Sequence, residues 1–502
     1  MELSDVTFQY PGQQKPSIIN LSCEFREKEC VLIAGPSGSG KTTLARILGG
    51  FIPKLIPGRF SGIYRIENKS SKELSVAEIS LCIGLVQQDP EGQFVTMFGG
   101  DEVAFGPENL LLPREIVQKR VETSLRKVGA LDLIQRELFA LSGGEQQKIA
   151  MASIFAMNPK MLLLDEPSAY LDRPSLKRLI ESLIRLKNEK KSSFIIIDHQ
   201  VWDFLPIIDR LFVLNQGSKF LDIPVSEVRD HLHNLANLGV ARKKDPQDRY
   251  SIALPPSDNF PLLEAKNLSV HYNEVKALDS ISFQCRSGEI LGIMGPNGSG
   301  KTTLLLAVLG LRPLTTGSIL LNGHPAPKSV AERAHQVGIV FQNPNHQLFE
   351  RTVLDELLLA PRNFKMDIET ASERAEQLLN AAQLAQYQNL PPFGLSHGEK
   401  KRLTLIASEV YNPSLLLLDE PFSGQDARNV EYMLAMIKQA SEIGRGVVIV
   451  SHKPEYLFEC CNQIIFLRNG QKKIDAPTYY AIKQLRDIAP DFLSNAQAEG
   501  VH

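Results

Sequence analysis

Two lysines, each ending a glycine-rich turn and followed by two threonines, set what this sequence can do. The first closes Gly35-Pro36-Ser37-Gly38-Ser39-Gly40-Lys41-Thr42-Thr43, the second Gly295-Pro296-Asn297-Gly298-Ser299-Gly300-Lys301-Thr302-Thr303. Both fit G-x-x-x-x-G-K-[ST], a loop whose glycines let backbone N–H groups close around a polyphosphate while the lysine reaches its β- and γ-phosphates. Thr42 and Thr302 each bring a hydroxyl suited to Mg²⁺. An apolar run precedes each loop (31–34 and 290–294) and a leucine-rich helical segment follows it. A helix N-terminus therefore points at the phosphates and adds its dipole. One such turn could be a chance arrangement; two, both between strand and helix, specify two nucleotide sites.

Far downstream of each loop a leucine run ends in two acids, Asp165-Glu166 and Asp419-Glu420. A buried strand that delivers a carboxylate at its end supplies what Mg²⁺ needs beside phosphates, which gives Asp165 and Asp419 that task. The next acid, Glu166 or Glu420, is placed to polarise a water for attack on the γ-phosphate.

The elements that must position these groups repeat. Lys301 follows Lys41 by 260 residues (301 − 41), Asp419 follows Asp165 by 254 (419 − 165), and His452 follows His199 by 253 (452 − 199). The repeat is a duplicated domain, and its period excludes a solenoid. The expected plan is α/β with two tandem domains, 1–240 and 261–502, joined by a proline-bearing, charged linker over 241–260. In each domain a mixed or parallel sheet forms the core, beside an N-terminal antiparallel β part and a helical subdomain. Strands are expected over 3–10, 18–25, 161–164 and 194–197, then 263–272, 415–418 and 447–450, and a helix over 115–135 with another after Ser142. Trp202, in a W-D-F-L stretch at helical spacing, is expected in the core.

Composition bounds the partners. The 502 residues are 43% apolar and 22% charged with a formal charge of −2, so no basic excess marks a nucleic-acid footprint. No apolar run nears the roughly 20 residues of a membrane span, and the N-terminal MELSDVTFQY carries no signal-peptide pattern. The cysteines at 23, 30, 82, 285, 460 and 461 lack metal-site spacing and are expected as buried, reduced thiols.

Between each phosphate loop and its Asp-Glu strand lie Leu141-Ser142-Gly143-Gly144-Glu145 and Leu395-Ser396-His397-Gly398-Glu399. With these, the chain resembles the ATP-binding-cassette (ABC) ATPases, whose signature loop has this form. The resemblance implies P-loop ABC ATPase domains, ATP and Mg²⁺ as cofactors, and a γ-phosphate gripped by Ser142, Gly143 and Gly144 or by Ser396 and Gly398. It implies too that each signature loop completes the other domain's ATP site, the two cassettes pairing within one chain. Gln88 and Gln342 resemble the Q-loop glutamine that contacts Mg²⁺ and the attacking water. His199 and His452 resemble the switch histidine, and Asp172 and Asp426 the D-loop aspartate. Tyr10 and Tyr272 resemble the aromatic that stacks on adenine, although a core role fits either equally well.

Residues 89–117, DPEGQFVTMFGGDEVAFGPENLLLPREIV, resemble a run found in the ATPases of energy-coupling-factor (ECF) importers, cobalt- and nickel-type systems included; the second copy keeps only its first part. The resemblance implies an ATP-hydrolysing subunit on the cytoplasmic face of a cell membrane, partnered by an integral-membrane coupling (T) subunit and a substrate-capture subunit. The cargo would be a vitamin, a vitamin precursor or a metal ion. Phe94, Phe98 and Phe105, read as lying around a helix, are expected to form part of the docking surface or to pack the helical subdomain. The alternative is a tandem-ABC ATPase acting on the ribosome, for which the linker is short and the Ser-Ala-Tyr-Leu-Asp loop atypical. His397 in place of a glycine is expected either to weaken one of the two sites, by bulk and by disfavoured backbone angles, or to leave both working.

Overall fold

Unbroken apolar runs dictate the centre of each unit. In the computed structural model, which describes residues 1–13, 15–169, 171–188, 193–241, 260–272 and 275–493, the strands Cys30–Ala34, Met161–Asp165 and Ser193–Ile197 are buried at every position. Such strands belong to a parallel sheet covered on both faces. The chain divides into two compact units, the bulk of the first within residues 1–243 and that of the second within 244–502. The expected linker lies outside the described residues except for its ends, Ala241 and Phe260.

In the first unit a six-stranded sheet runs Ser218–Pro224, Arg210–Asn215, Cys30–Ala34, Ser193–Ile197, Met161–Asp165, Ile83–Val86. All neighbours are parallel except the first two strands. Side chains alternate across it as the two-residue period requires. Val31 and Ile33 join a core with Leu163 and Ile195 on one face, and Leu32 and Ala34 join another with Leu162, Leu164 and Ile196 on the other. Each fully buried Leu or Ile contributes about 1.5–3 kcal/mol. A four-stranded antiparallel sheet, built on Glu2–Gln9 and Ile18–Glu24, covers the first of these cores.

The second unit repeats the order with Val337–Val340, Leu415–Asp419, Gly446–Val450, Ile290–Met294, Gln463–Arg468 and Gln471–Pro477, next to its own antiparallel sheet built on Pro261–Tyr272 and Val275–Arg286. Each unit also has a helical subdomain with a separate core. Gly99–Asn109, Arg114–Val128 and Gly143–Met157 enclose Val103, Val121, Leu125 and Ile149; Val353–Asn363, Ile368–Ala381 and His397–Glu409 enclose Leu357, Leu379 and Leu403.

Three expectations change. The helix expected to reach residue 135 ends at Val128, because Gly129 takes the left-handed conformation (φ 64°) that closes a helix. Trp202 is 46% exposed: the one-turn helix Val201–Phe204 buries a single face, which Val201 and Phe204 occupy. Phe94 and Phe98 are not helical; only Phe105 lies in the helix Gly99–Asn109. All six cysteines are free, and all but Cys82 are buried. Burial pushes the Cys23 and Cys30 thiols up to about 12, so they stay protonated. Among the described residues no helix is long and apolar enough to cross a membrane.

Candidate functional site

The carboxyl ends of the parallel strands are where an α/β sheet presents its ligands. There the first unit gathers the loop after Ala34, the acids after Leu164 and the histidine after Ile197; the second gathers their counterparts.

Each phosphate loop runs straight into a helix, Lys41–Leu48 or Lys301–Leu309. The residue before the helix must be glycine. Gly40 and Gly300 sit at φ 100° and 99°, and a β-carbon on either would stand 2.5 Å from a backbone oxygen, that of Ser17 or Ala277. Gly38 and Gly298 (φ 74° and 76°) face open space, leaving the loop's outer side clear. The lysines are buried; Lys41 donates to Gly35 O and Pro36 O at 2.8 and 2.9 Å, and Lys301 to Gly295 O and Pro296 O at 2.9 Å each. Burial pushes the Lys41 ammonium below its ordinary value, against the pull of Glu166 and Asp165. Ser39 and Ser299 are buried inside the loops, and Ser37 and Asn297 are half-buried on them.

Asp165 and Asp419 end their strands, and in both the Oδ1 atom is buried without a hydrogen-bond partner. Burial, with the adjacent glutamate adding to it, pushes these carboxyls up to about 7 and about 6. Such an atom calls for a cation or a donor from outside the chain. Thr302 Oγ1 donates to Asp419 Oδ2 at 2.9 Å, joining the two expected metal ligands of the second unit. No such bond joins Thr42 to Asp165.

Glu166 and Glu420 have a feature their sequence does not announce. Both adopt left-handed backbone, φ 50° and 49°, which costs a non-glycine residue about 1–3 kcal/mol and collects at functional sites. Each is held there by its own N–H, donating to Ile197 O (2.8 Å) or Val450 O (2.9 Å) at the end of the strand that precedes the histidine. The turn aims the carboxylate across the sheet edge. Glu166 accepts from Gln88 Nε2 at 2.6 Å and lies 3.2 Å from His199 Nε2. Glu420 lies 2.8 Å from His452 Nδ1 and accepts from Ser451 Oγ at 3.2 Å. Burial raises the Glu420 carboxyl, but His452 and Lys301 outweigh it and leave it below its ordinary value. Gln342 makes no hydrogen bond to Glu420.

Before the histidine the units diverge. The first has Asp198, buried and accepting from Ser168 and from Gln200 N; the second has Ser451, with Phe422 in the place of Ser168 packed edge-on to Tyr456 at 5.0 Å. Burial raises the Asp198 carboxyl against the effect of those donors.

The signature serines cap helices. Ser142 and Ser396 start Gly143–Met157 and His397–Glu409, and each donates from N and Oγ to the glutamate three residues on, at 2.8 and 2.7 Å. Gly143, Gly144, His397 and Gly398 are thus ordinary helical residues. This corrects the expected backbone penalty at His397: no left-handed angle is required there. Asp172 and Asp426 stand immediately before the helices Arg173–Asn188 and Ala427–Glu442, where Asp172 accepts from Ser175 N at 2.9 Å.

The aromatic pair is split. Tyr10 packs edge-on against Phe8 at 4.8 Å, with its hydroxyl 3.3 Å from Thr43 Oγ1 and accepting from Arg46, so it is partly a core residue. Tyr272 is more open, with the Arg312 guanidinium 5.3 Å from its ring centroid. Thr303, like Thr42, lies at the start of its unit's phosphate-loop helix.

Sequence reasoning missed Glu102 and Glu356. Both are buried; Glu102 accepts from Val95 N, Thr96 N and Thr96 Oγ1 at 3.0 Å each, and Glu356 from Phe349 N and Glu350 N at 2.8 Å each. The signal was there, an acid at the same offset in both repeats (356 − 102 = 254, as for Asp419 and Asp165).

Comparison with known proteins agrees with the tandem-domain fold. A family model described as "ABC transporter" matches residues 18–169 and 278–423, more than half of the chain. "Putative ABC transporter ATP-binding protein" of Methanosarcina mazei is 31% identical over 523 residues, taking in 95% of this chain and 89% of that one. A protein of Photobacterium profundum with a closely similar name is 32% identical, with 95% and 91% covered. "Putative HMP/thiamine import ATP-binding protein YkoD" of Bacillus subtilis is 33% identical, with 93% and 90% covered. A solved chain in "Model of ribosome-bound archaeal Pelota and ABCE1" has a TM-score of 0.72 at 19% identity, over 96% of this chain and 80% of that one, a likeness of fold alone. The chain belongs to the ABC transporter family. It is an ATP-binding subunit with two tandem ABC ATPase domains, and it hydrolyses ATP.

Proposed function

We propose that this chain is the energy-coupling ATPase of an ECF-type importer, peripheral to the cytoplasmic face of the membrane, working with a membrane coupling subunit and a substrate-capture subunit. The cargo class is a vitamin, a vitamin precursor or a metal ion; the likeness to a protein named for HMP/thiamine import favours the first two. Each ATP would carry Mg²⁺, which offsets charge on the polyphosphate. The residues fit that ion: Asp165, Thr42 and Gln88 would hold it in the first cassette, and Asp419, Thr302 and Gln342 in the second. The unpartnered Oδ1 atoms of the two aspartates are the observation behind this. Glu166 and Glu420 would orient water, and His199 and His452 would sense the γ-phosphate.

The observation that carries the transporter reading is an apolar ledge after the Gln88 loop. Val95 and Met97 are 65% and 63% exposed, Phe98 and Phe105 39% and 42%, while Glu102 fixes the backbone beneath them. Phe94 turns inward against the core and leaves the expected docking set. Exposed apolar side chains on a pinned backbone suit a partner helix. The test is capture of tagged protein from detergent-solubilised membranes, run beside sedimentation with ribosomes. Recovery of integral-membrane proteins that is lost on Met97→Asp/Phe98→Asp, with ATP binding kept, supports the reading. Co-sedimentation with ribosomes and no membrane partner overturns it.

A further inference from the structure

A lysine with no exposed surface stands next to the second ATP site. Lys401, on the helix His397–Glu409, donates to Phe341 O at 2.8 Å, to Gln342 O at 2.7 Å and to Asp419 O at 3.3 Å. Its three N–H donors thus span the loop that carries Gln342 and the strand end that carries Asp419 and Glu420. A buried ammonium is costly unless its donors are met, and here three carbonyls meet them.

The first cassette has Gln147 at the matching place (401 − 254), equally buried, with both amide atoms lacking a hydrogen-bond partner. The surrounding contacts match. Gln93 Oε1 accepts from Gln87 N at 3.0 Å as Gln347 Oε1 accepts from Phe341 N at 3.2 Å. Gln146 donates to Glu91 at 3.1 Å as Lys400 donates to Asn345 at 3.0 Å. The frame around this position is therefore shared, and the buried side chain that reaches the loop's main chain differs.

We propose that Lys401 is a positioning residue for hydrolysis in the second cassette: it ties the main chain at Gln342 to the strand end at Asp419, a tether the first cassette lacks. Lys401 touches no reacting atom. It fixes where the Gln342 side chain starts, relative to the acid that orients water. In the first cassette the glutamine is located differently, by its side chain's bond to Glu166. The inference rests on the assignment of Gln342, Asp419 and Glu420 to the second ATP site.

The test uses the full chain with Glu166→Gln in place, so that turnover reads the second cassette. Lys401→Met keeps length and adds no unmet donor. With all three hydrogen bonds of the tether gone, it should lower kcat about tenfold, with KM for ATP within about twofold. Without nucleotide, amide hydrogen exchange over 342–348 should quicken about tenfold while Gly446–Val450 exchanges as before. Should Lys401→Met not fold, Lys401→Gln, the residue the first cassette accommodates there, carries both readouts. Unchanged kcat with unchanged loop exchange overturns the proposal. So does faster exchange in loop and core strands alike, which marks a role in stability alone. The exchange measurement needs no ATP and reads the tether even if Glu420 is not the hydrolytic acid; Glu420→Gln in the same background tests that assignment separately.

Discussion

The two cassettes share their sheet order, their loop glycines and the left-handed glutamate at the strand end, yet they hold that glutamate differently. Glu166 is gripped by the loop glutamine Gln88 at 2.6 Å as well as by His199 through Nε2. Glu420 meets His452 through Nδ1 and Ser451 instead, Gln342 makes no bond to it, and His452 Nε2 is buried without a partner. In the first cassette, the groups that would orient water satisfy one another. In the second, the loop is held by its backbone, and an imidazole nitrogen that would meet a phosphate oxygen is left without a partner. Duplication kept the strain and the main-chain frame, and the divergence lies in the side chains around them.

That comparison can be broken in steps. The largest effect is expected when both phosphate-loop lysines are removed: Lys41→Ala with Lys301→Ala should lower ATP turnover at least about 100-fold, since charge stabilisation is lost at both sites. Undiminished phosphate release would refute the nucleotide assignment. Next comes Gly40→Ala, whose β-carbon meets Ser17 O at 2.5 Å. It should weaken ATP binding at the first cassette about tenfold or more, as left-handed geometry and a backbone collision act together. Binding of a fluorescent ATP analogue to a Lys301→Ala background reads this.

A smaller effect concerns pH. Burial lifts Asp165 to about 7 from an ordinary value near 4, so between these values the folded chain holds a proton that the unfolded chain has released. Stability from this group is therefore lost as pH rises through that window, and Asp165→Asn removes the loss. Without nucleotide, the gain in thermal midpoint of Asp165→Asn over the parent should be greater at pH 8 than at pH 5. A gain that shrinks as pH rises contradicts the assignment. The smallest effect is expected at His397. Because His397 occupies helical backbone, His397→Gly relieves no backbone strain, and steady-state turnover should change by less than about twofold, within the range of a helix-propensity change. A several-fold rise would restore the case for a damaged signature loop.

Much of this was legible in the sequence, for physical reasons. Continuous apolar runs such as MLLLD and LLLLD admit few structures other than buried parallel strands, and the G-x-x-x-x-G-K-T spacing admits few chemistries. What escaped depends on contacts between distant segments. The φ of Glu166 is imposed by Ile197 O, and the burial of Lys401 is tolerated only because Phe341, Gln342 and Asp419 converge on it. Trp202 misled because its helix is a single turn, too short for spacing to tell which face is buried. His397 misled because glycine suggested special backbone angles where the signature loop is already helix.

The most direct test of the account is the steady-state ATP turnover of Glu166→Gln beside that of Glu420→Gln, each in the full chain at saturating ATP. If the second cassette is the more readily active one, Glu420→Gln removes most of the turnover, about tenfold, and Glu166→Gln removes less than about half. Equal losses from the two substitutions, or the larger loss from Glu166→Gln, would contradict it.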